Sequence, residues 1–177
     1  MQSIAAAALK TLSRLDLIER RAFLNGVWTA RDEVLGVSDP ANGERLAAVA
    51  VCSPADADAA VAAARRAFFD WRDRLPAERG MILRLWAKLV RDNARDLATI
   101  MTCEQGKPLA EALGEMSYAA NFLDWFAAEG ERAYGETIPS HLPGSHLSVQ
   151  MQPVGVTVAI TPWNFPAAMI ARNAGFV

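Results

Sequence analysis

The run Val154-Gly155-Val156-Thr157-Val158-Ala159-Ile160 constrains this chain more than any other. It is almost uniformly apolar and β-branched, which is how a strand buried on both faces of a parallel sheet reads. Such a strand needs a neighbour on each edge and a layer on each face, so an α/β architecture follows. Pro153 bounds the run. Thr161-Pro162-Trp163-Asn164-Phe165-Pro166 follows as a turn, and Ala167–Ala174 as the start of a helix. Strand, turn and helix start form the unit where α/β folds bind nucleotides, outside the carboxyl end of the strand and near the helix N-terminus. The turn is not G-x-G-x-x-G, so the usual dinucleotide fingerprint is absent. Just upstream, Leu147, Val149 and Met151 alternate with Ser148, Gln150 and Gln152, the period of a half-buried strand.

The middle of the chain has a helical period. Ser53-Pro54-Ala55-Asp56 reads as a helix start, with a capping serine, a proline in the first turn and an acid beside it. Ala57, Ala60, Val61, Ala64, Phe68 and Trp71 then share one face. Pro76 opens a second helix striped by Ile82, Leu85, Trp86, Leu89, Leu97, Ile100 and Met101, and it stops near Gly106-Lys107-Pro108. A third runs from about Pro108 to Tyr134, with Leu109, Ala112, Leu113, Met116, Ala120, Leu123 and Phe126 on its apolar side. Phe68, Trp71, Trp86, Phe122, Trp125 and Phe126 fall at helical spacing and read as core. Before these helices lie hairpins. Asn25-Gly26 separates Phe23-Leu24 from Val27-Trp28, and Asp39-Pro40-Ala41-Asn42-Gly43 separates Val34–Ser38 from Arg45–Val51.

Charge removes some partners. Eighteen Lys and Arg residues against 20 Asp and Glu give a net charge of −2, with no basic block, so nucleic acid is not expected as a partner. No run of roughly 18 uninterrupted apolar residues exists, so no membrane span is expected. Ile4–Leu9 is apolar but too short for a secretory core, and it reads as a frayed N-terminal helix. Cys52 and Cys103 form no disulfide framework, which fits a reducing, cytoplasmic location. His141 and His146 have no cysteine near them and read as solvated loop residues, so no metal site is expected. Cys103 has neither a base nor an electropositive neighbour in local spacing, and it reads as a packing residue.

Several stretches carry a family resemblance. Ile160-Thr161-Pro162-Trp163-Asn164-Phe165-Pro166 resembles the cofactor-and-oxyanion motif of the aldehyde dehydrogenase superfamily. Glu104-Gln105-Gly106-Lys107-Pro108, Phe122-Leu123-Asp124-Trp125-Phe126 and Tyr134-Gly135-Glu136-Thr137-Ile138-Pro139 are similar to the same family, nearest its succinate-semialdehyde dehydrogenase branch. Phe23–Trp28 and Asp39–Gly43 match its opening hairpins. The resemblance runs from about Arg21 to near the end of the chain.

The resemblance implies the N-terminal part of an aldehyde dehydrogenase-like α/β fold: β-hairpins, a three-helix layer and the first strand of a Rossmann-like parallel sheet. Residues 1–21 would be an N-terminal extension. Residues 22–177 would be part of the cofactor-binding domain, with 147–152 a candidate oligomerisation strand of a homo-oligomeric family. It implies oxidation of an aldehyde to a carboxylate with NAD or NADP, the substrate being succinate semialdehyde, with glutarate semialdehyde as the near alternative. Asn164 would stabilise the oxyanion. Ile160, Thr161, Pro162, Trp163 and Asn164 would line the cofactor cleft. Arg172 would hold the substrate's distal carboxylate, for which a guanidinium fork is suited; a surface helix arginine is the other reading. The family's nucleophilic cysteine, catalytic glutamate and cofactor-contacting lysine have no counterpart up to Val177. Where the branch pattern reads Ile-Thr-Arg-Lys-Ala-Gly, this chain has Ile170-Ala171-Arg172-Asn173-Ala174-Gly175. These residues alone are therefore expected to be a truncated, inactive product, or a non-catalytic module that pairs with full-length homologues through strand edges.

Overall fold

Three hairpins and a helical layer make up the computed structural model, which describes residues 4–175. A short helix α1 (Ile4–Leu9) leads into hairpin β1 (Ala22–Leu24) and β2 (Val27–Thr29), then hairpin β3 (Val34–Ser38) and β4 (Arg45–Ala50). Four helices follow: α2 (Pro54–Arg72), α3 (Pro76–Asp92), α4 (Ala94–Gln105) and α5 (Leu109–Gly130). Strands β5 (Glu136–Ile138) and β6 (Leu147–Val149) form the third hairpin, and α6 (Pro166–Gly175) closes the described chain. Each hairpin is its own two-stranded antiparallel sheet. The α/β reading therefore holds as a partial fold of mixed helix and strand.

Local chemistry explains the boundaries. Asn25 and Gly26 take φ of 50° and 79°, the left-handed pair that a tight hairpin needs, and Phe23 faces Trp28 across it. The Ser53 hydroxyl accepts from the Asp56 amide while the Asp56 carboxylate accepts from the Ser53 amide, a reciprocal cap. Arg31 forms an ion pair with the same carboxylate, which holds Asp56 well below the usual carboxylate range.

The core lies between α3, α5 and α6. Ala87, Ala119, Ala120, Leu123, Ala168 and Ala171 are buried together, and Ala98, Met101, Ala112 and Met116 form an adjoining cluster under α4. Small side chains at these contacts let the helix axes approach closely. The stripe expected along α5 is the face that is buried.

Other expectations are corrected. The single helix expected from Pro76 to Gly106 is two, broken at Asn93, where φ of −111° and ψ of 14° leave the helical region and the side chain also donates to the Leu89 carbonyl at 2.8 Å. The expected three-helix layer thus has four helices. The α3 face that packs on α5 carries Leu83, Trp86, Ala87 and Val90, while Ile82, Leu85 and Leu89 are exposed. The α2 stripe is largely exposed too, with Phe68 and Trp71 only half-buried. Trp125 points to solvent, so the aromatic-core reading fails there. The third helix stops at Gly130, short of Tyr134. Only Leu147–Val149 of the expected 147–152 strand pairs, and it is exposed along its length.

The largest correction concerns Val154–Ile160. It is not a strand: no ladder reaches it among the described residues, and Gly155 at φ 116° leaves the extended region. Val154 and Ile160 are each 93% exposed, and Gly155–Thr157 line a shallow groove against Phe68 and Trp71 of α2. An apolar run becomes a buried strand only when partner strands satisfy its backbone, and none of the described residues supplies one. The expected frayed N-terminal helix is instead docked. The Arg14 amide donates to Asp96 at 2.8 Å, and Cys103 Sγ lies 3.5 Å from the Ala5 carbonyl oxygen. Met1–Ser3 of the expected extension, and Phe176 and Val177 at the other end, lie outside the described residues.

Candidate active site

Two of the stretches singled out in the sequence meet in space. Helix α4 ends at Gly106, whose φ of 78° turns the chain, and a Cβ there would stand 2.9 Å from the Pro40 ring. That turn aims Gln105 and Lys107 at the loop ahead of α6. Gln105 Nε2 donates to the Trp163 carbonyl at 2.9 Å, and Lys107 Nζ donates to the Asn164 carbonyl at 2.7 Å. The Lys107 ammonium also sits 4.4 Å from the centre of the Phe165 ring. Lys107 forms an ion pair with Glu115 of α5, whose side chain is only 1% exposed.

Glu115 completes the anchor. Its Oε1 accepts from the Ala167 amide at 2.9 Å and the Ala168 amide at 3.2 Å, two of the donors that the first turn of α6 leaves free. A carboxylate there is also favoured by the helix dipole. The start of α6 is therefore filled by an internal anion, the Glu115 carboxylate.

The anchors grip main chain and leave side chains outward. Asn164 is exposed and its amide bonds to no described residue; it lines an open groove of about 450 Å³ with Lys107, Glu111, Gly114, Tyr118 and Phe165. Farther along, the Tyr118 and Phe122 rings meet at a tilt with their centres 4.5 Å apart, and the Arg172 guanidinium sits 6.0 Å from the Phe122 ring centre. Asn164 and Arg172 thus flank one aromatic strip. Thr161 is half-buried and Pro162 exposed, while Ile160 and Trp163 are 93% and 80% exposed beside the Asn164 amide. Exposed apolar side chains next to a carboxamide that bonds to no described residue offer a surface on which a flat, amide-bearing ring such as a nicotinamide would fit.

The remaining candidates are inert or scattered. Burial pushes the Cys103 thiol up, with Asp39 and Glu104 adding to the effect, so it stays protonated at neutral pH. Cys52, His141 and His146 are exposed, and no group of three metal-ligating side chains occurs among the described residues. Sequence reasoning missed Glu115 and assigned no role to Gln105 or Lys107. The signal for Glu115 was available: an acid three residues after Ala112 and one before Met116 lies on the apolar face, where a charge needs a partner.

The chain matches the aldehyde dehydrogenase family over residues 28–176. It is 51% identical over 166 residues to a succinate-semialdehyde dehydrogenase (NADP(+)) of Escherichia coli, covering 93% of this chain and 34% of that protein. It is 49% identical over 166 residues to a glutarate-semialdehyde dehydrogenase of Pseudomonas putida, covering 93% and 35%. Among solved structures, a succinate-semialdehyde dehydrogenase from Burkholderia pseudomallei superposes with a TM-score of 0.90 at 47% identity, covering 93% of this chain and 35% of that one. The chain thus spans about a third of the length of the curated relatives it matches.

Proposed function

This chain belongs to the aldehyde dehydrogenase family, and on that premise we propose that its residues serve the NAD(P)-dependent oxidation of a semialdehyde to a carboxylate. Succinate semialdehyde is the substrate proposed first and glutarate semialdehyde second, in keeping with the names of the relatives. The observation that carries this reading is Asn164: its backbone carbonyl is held by Lys107 while its amide, in the groove, bonds to no described residue.

Each residue has a defined task. When a nucleophile adds to the aldehyde, the carbonyl oxygen gains charge, and the Asn164 amide donates to it. Ile160, Thr161, Pro162 and Trp163 form the face against which NAD or NADP would rest. NAD or NADP held there would supply the acceptor for the aldehyde's hydride. Arg172, steadied on Phe122, would pair with the carboxylate at the far end of the substrate. The described residues hold no activated thiol, so residues 1–177 by themselves should form no NAD(P)H. We assign residues 22–177 to part of a cofactor-binding domain, 1–21 to an N-terminal extension, and 147–152 to contacts within a homo-oligomer in the cytoplasm.

The test reads the coding frame past Val177 and assays its product. A continuation carrying a cysteine in a Gly-Gln-x-Cys context, with NAD(P)H formed from succinate semialdehyde and lost in Asn164→Ala, supports the proposal. A frame without that thiol would remove it. The β5–β6 hairpin, with exposed Ile138, Leu147 and Val149, favours a second reading as a non-catalytic module that joins a full-length homologue. Co-purification with such a homologue would support that reading, and a clean monomer would count against it.

A further inference from the structure

We propose that Lys107 and Glu115 are positioning residues whose buried ion pair sets the direction of the Asn164 amide by holding the Asn164 carbonyl and the helix start that follows it. The inference deepens the proposed function and rests on it for the role of Asn164. Three side chains from one stretch hold this turn, and every hydrogen bond they make to it reaches backbone. Gln105 takes the Trp163 carbonyl, Lys107 the Asn164 carbonyl, and Glu115 the Ala167 and Ala168 amides. The main chain is therefore fixed at Trp163 just before Asn164, at Asn164 itself and at the helix start just after it.

The two charges depend on each other. Lys107 and Glu115 side chains are 12% and 1% exposed, so each would be costly to bury without its partner. Lys107 divides its ammonium between the Glu115 carboxylate, the Asn164 carbonyl and the Phe165 ring. Glu115 divides its carboxylate between Lys107 and α6. Neutralising either charge weakens both ends of the clamp. A residue that merely filled space in the core would loosen α3 and α5 equally.

Amide hydrogen exchange followed by NMR on the 177-residue chain separates these cases without any chemistry at the site. In Lys107→Met and Glu115→Gln, exchange at Ala167 and Ala168 should accelerate at least tenfold more than at Ala87 of α3, and the Asn164 side-chain amide resonances should shift or broaden. Lys107→Arg, which keeps the charge, should stay within threefold of wild type at Ala167 and Ala168. Equal acceleration at Ala167, Ala168 and Ala87, or unchanged Asn164 resonances, would overturn the proposal. If Glu115→Gln does not fold, the same two outcomes are read in Lys107→Met and Lys107→Arg. Because no turnover is measured, a negative result here leaves the oxyanion role of Asn164 standing. Loss of that role in the enzyme assay would in turn leave the clamp intact.

Discussion

Helices α3, α5 and α6 and the segment from Leu147 to Trp163 are both rich in apolar side chains, yet one region is buried and the other is not. Ala87, Ala120, Leu123 and Ala168 have almost no contact with solvent, while Val154, Val158, Ile160 and Trp163 stand exposed. The difference lies in where each backbone finds its hydrogen bonds. A helix closes its bonds within itself and needs only a face to pack, whereas a strand needs another strand before its side chains can be covered. Apolar content alone therefore does not decide burial.

Mutations can break or sharpen that contrast. The largest effect is expected from Leu123→Ala, which empties the one large side chain fully buried between α3, α5 and α6. It should cost about 2–5 kcal/mol, read as a lower urea midpoint with an unchanged slope. Gly106→Ala should come next. The new Cβ meets Pro40 and the backbone is left-handed there, so a loss of about 1–2 kcal/mol is expected in the same measurement. A third change depends on pH. Asp56 titrates lower in the folded chain than in the unfolded one because of Arg31 and Ser53, so its contribution is present above about pH 4 and fades as acid reaches the folded value. Asp56→Asn should lower the urea midpoint most at neutral pH and change it little in strong acid, so the acid limb of the stability curve flattens. The smallest effect is expected at Val158→Asp, within about 0.5 kcal/mol, because nothing covers that side chain. The same change should reduce self-association in light scattering. A loss comparable to that of Leu123→Ala would show the segment to be packed.

What could be read from the residues follows the same division. The Asn25-Gly26 turn, the Ser53–Asp56 cap and the α5 stripe were legible because each depends on neighbours within a few positions. The break at Asn93 was not, since a side-chain bond to the Leu89 carbonyl competes with a helical pattern that otherwise continues. The strand at Val154 was misread because its fate depends on partners far along a chain. At the proposed site, the motif singles out Asn164 and Arg172 but says nothing of the residues that hold the turn. Glu115 makes its bonds to amides more than fifty positions away, and only an acid on an apolar face hinted at them.

The grip of Gln105, Lys107 and Glu115 on backbone atoms has one more consequence. Geometry and chemical identity are separable at this turn: none of the hydrogen bonds that these three side chains make to it uses the side chain at position 163 or 164. Such a loop works as a socket. Its reactive group can be exchanged by a single codon change without refitting the scaffold, so new chemistry could be tried there at small risk to the fold.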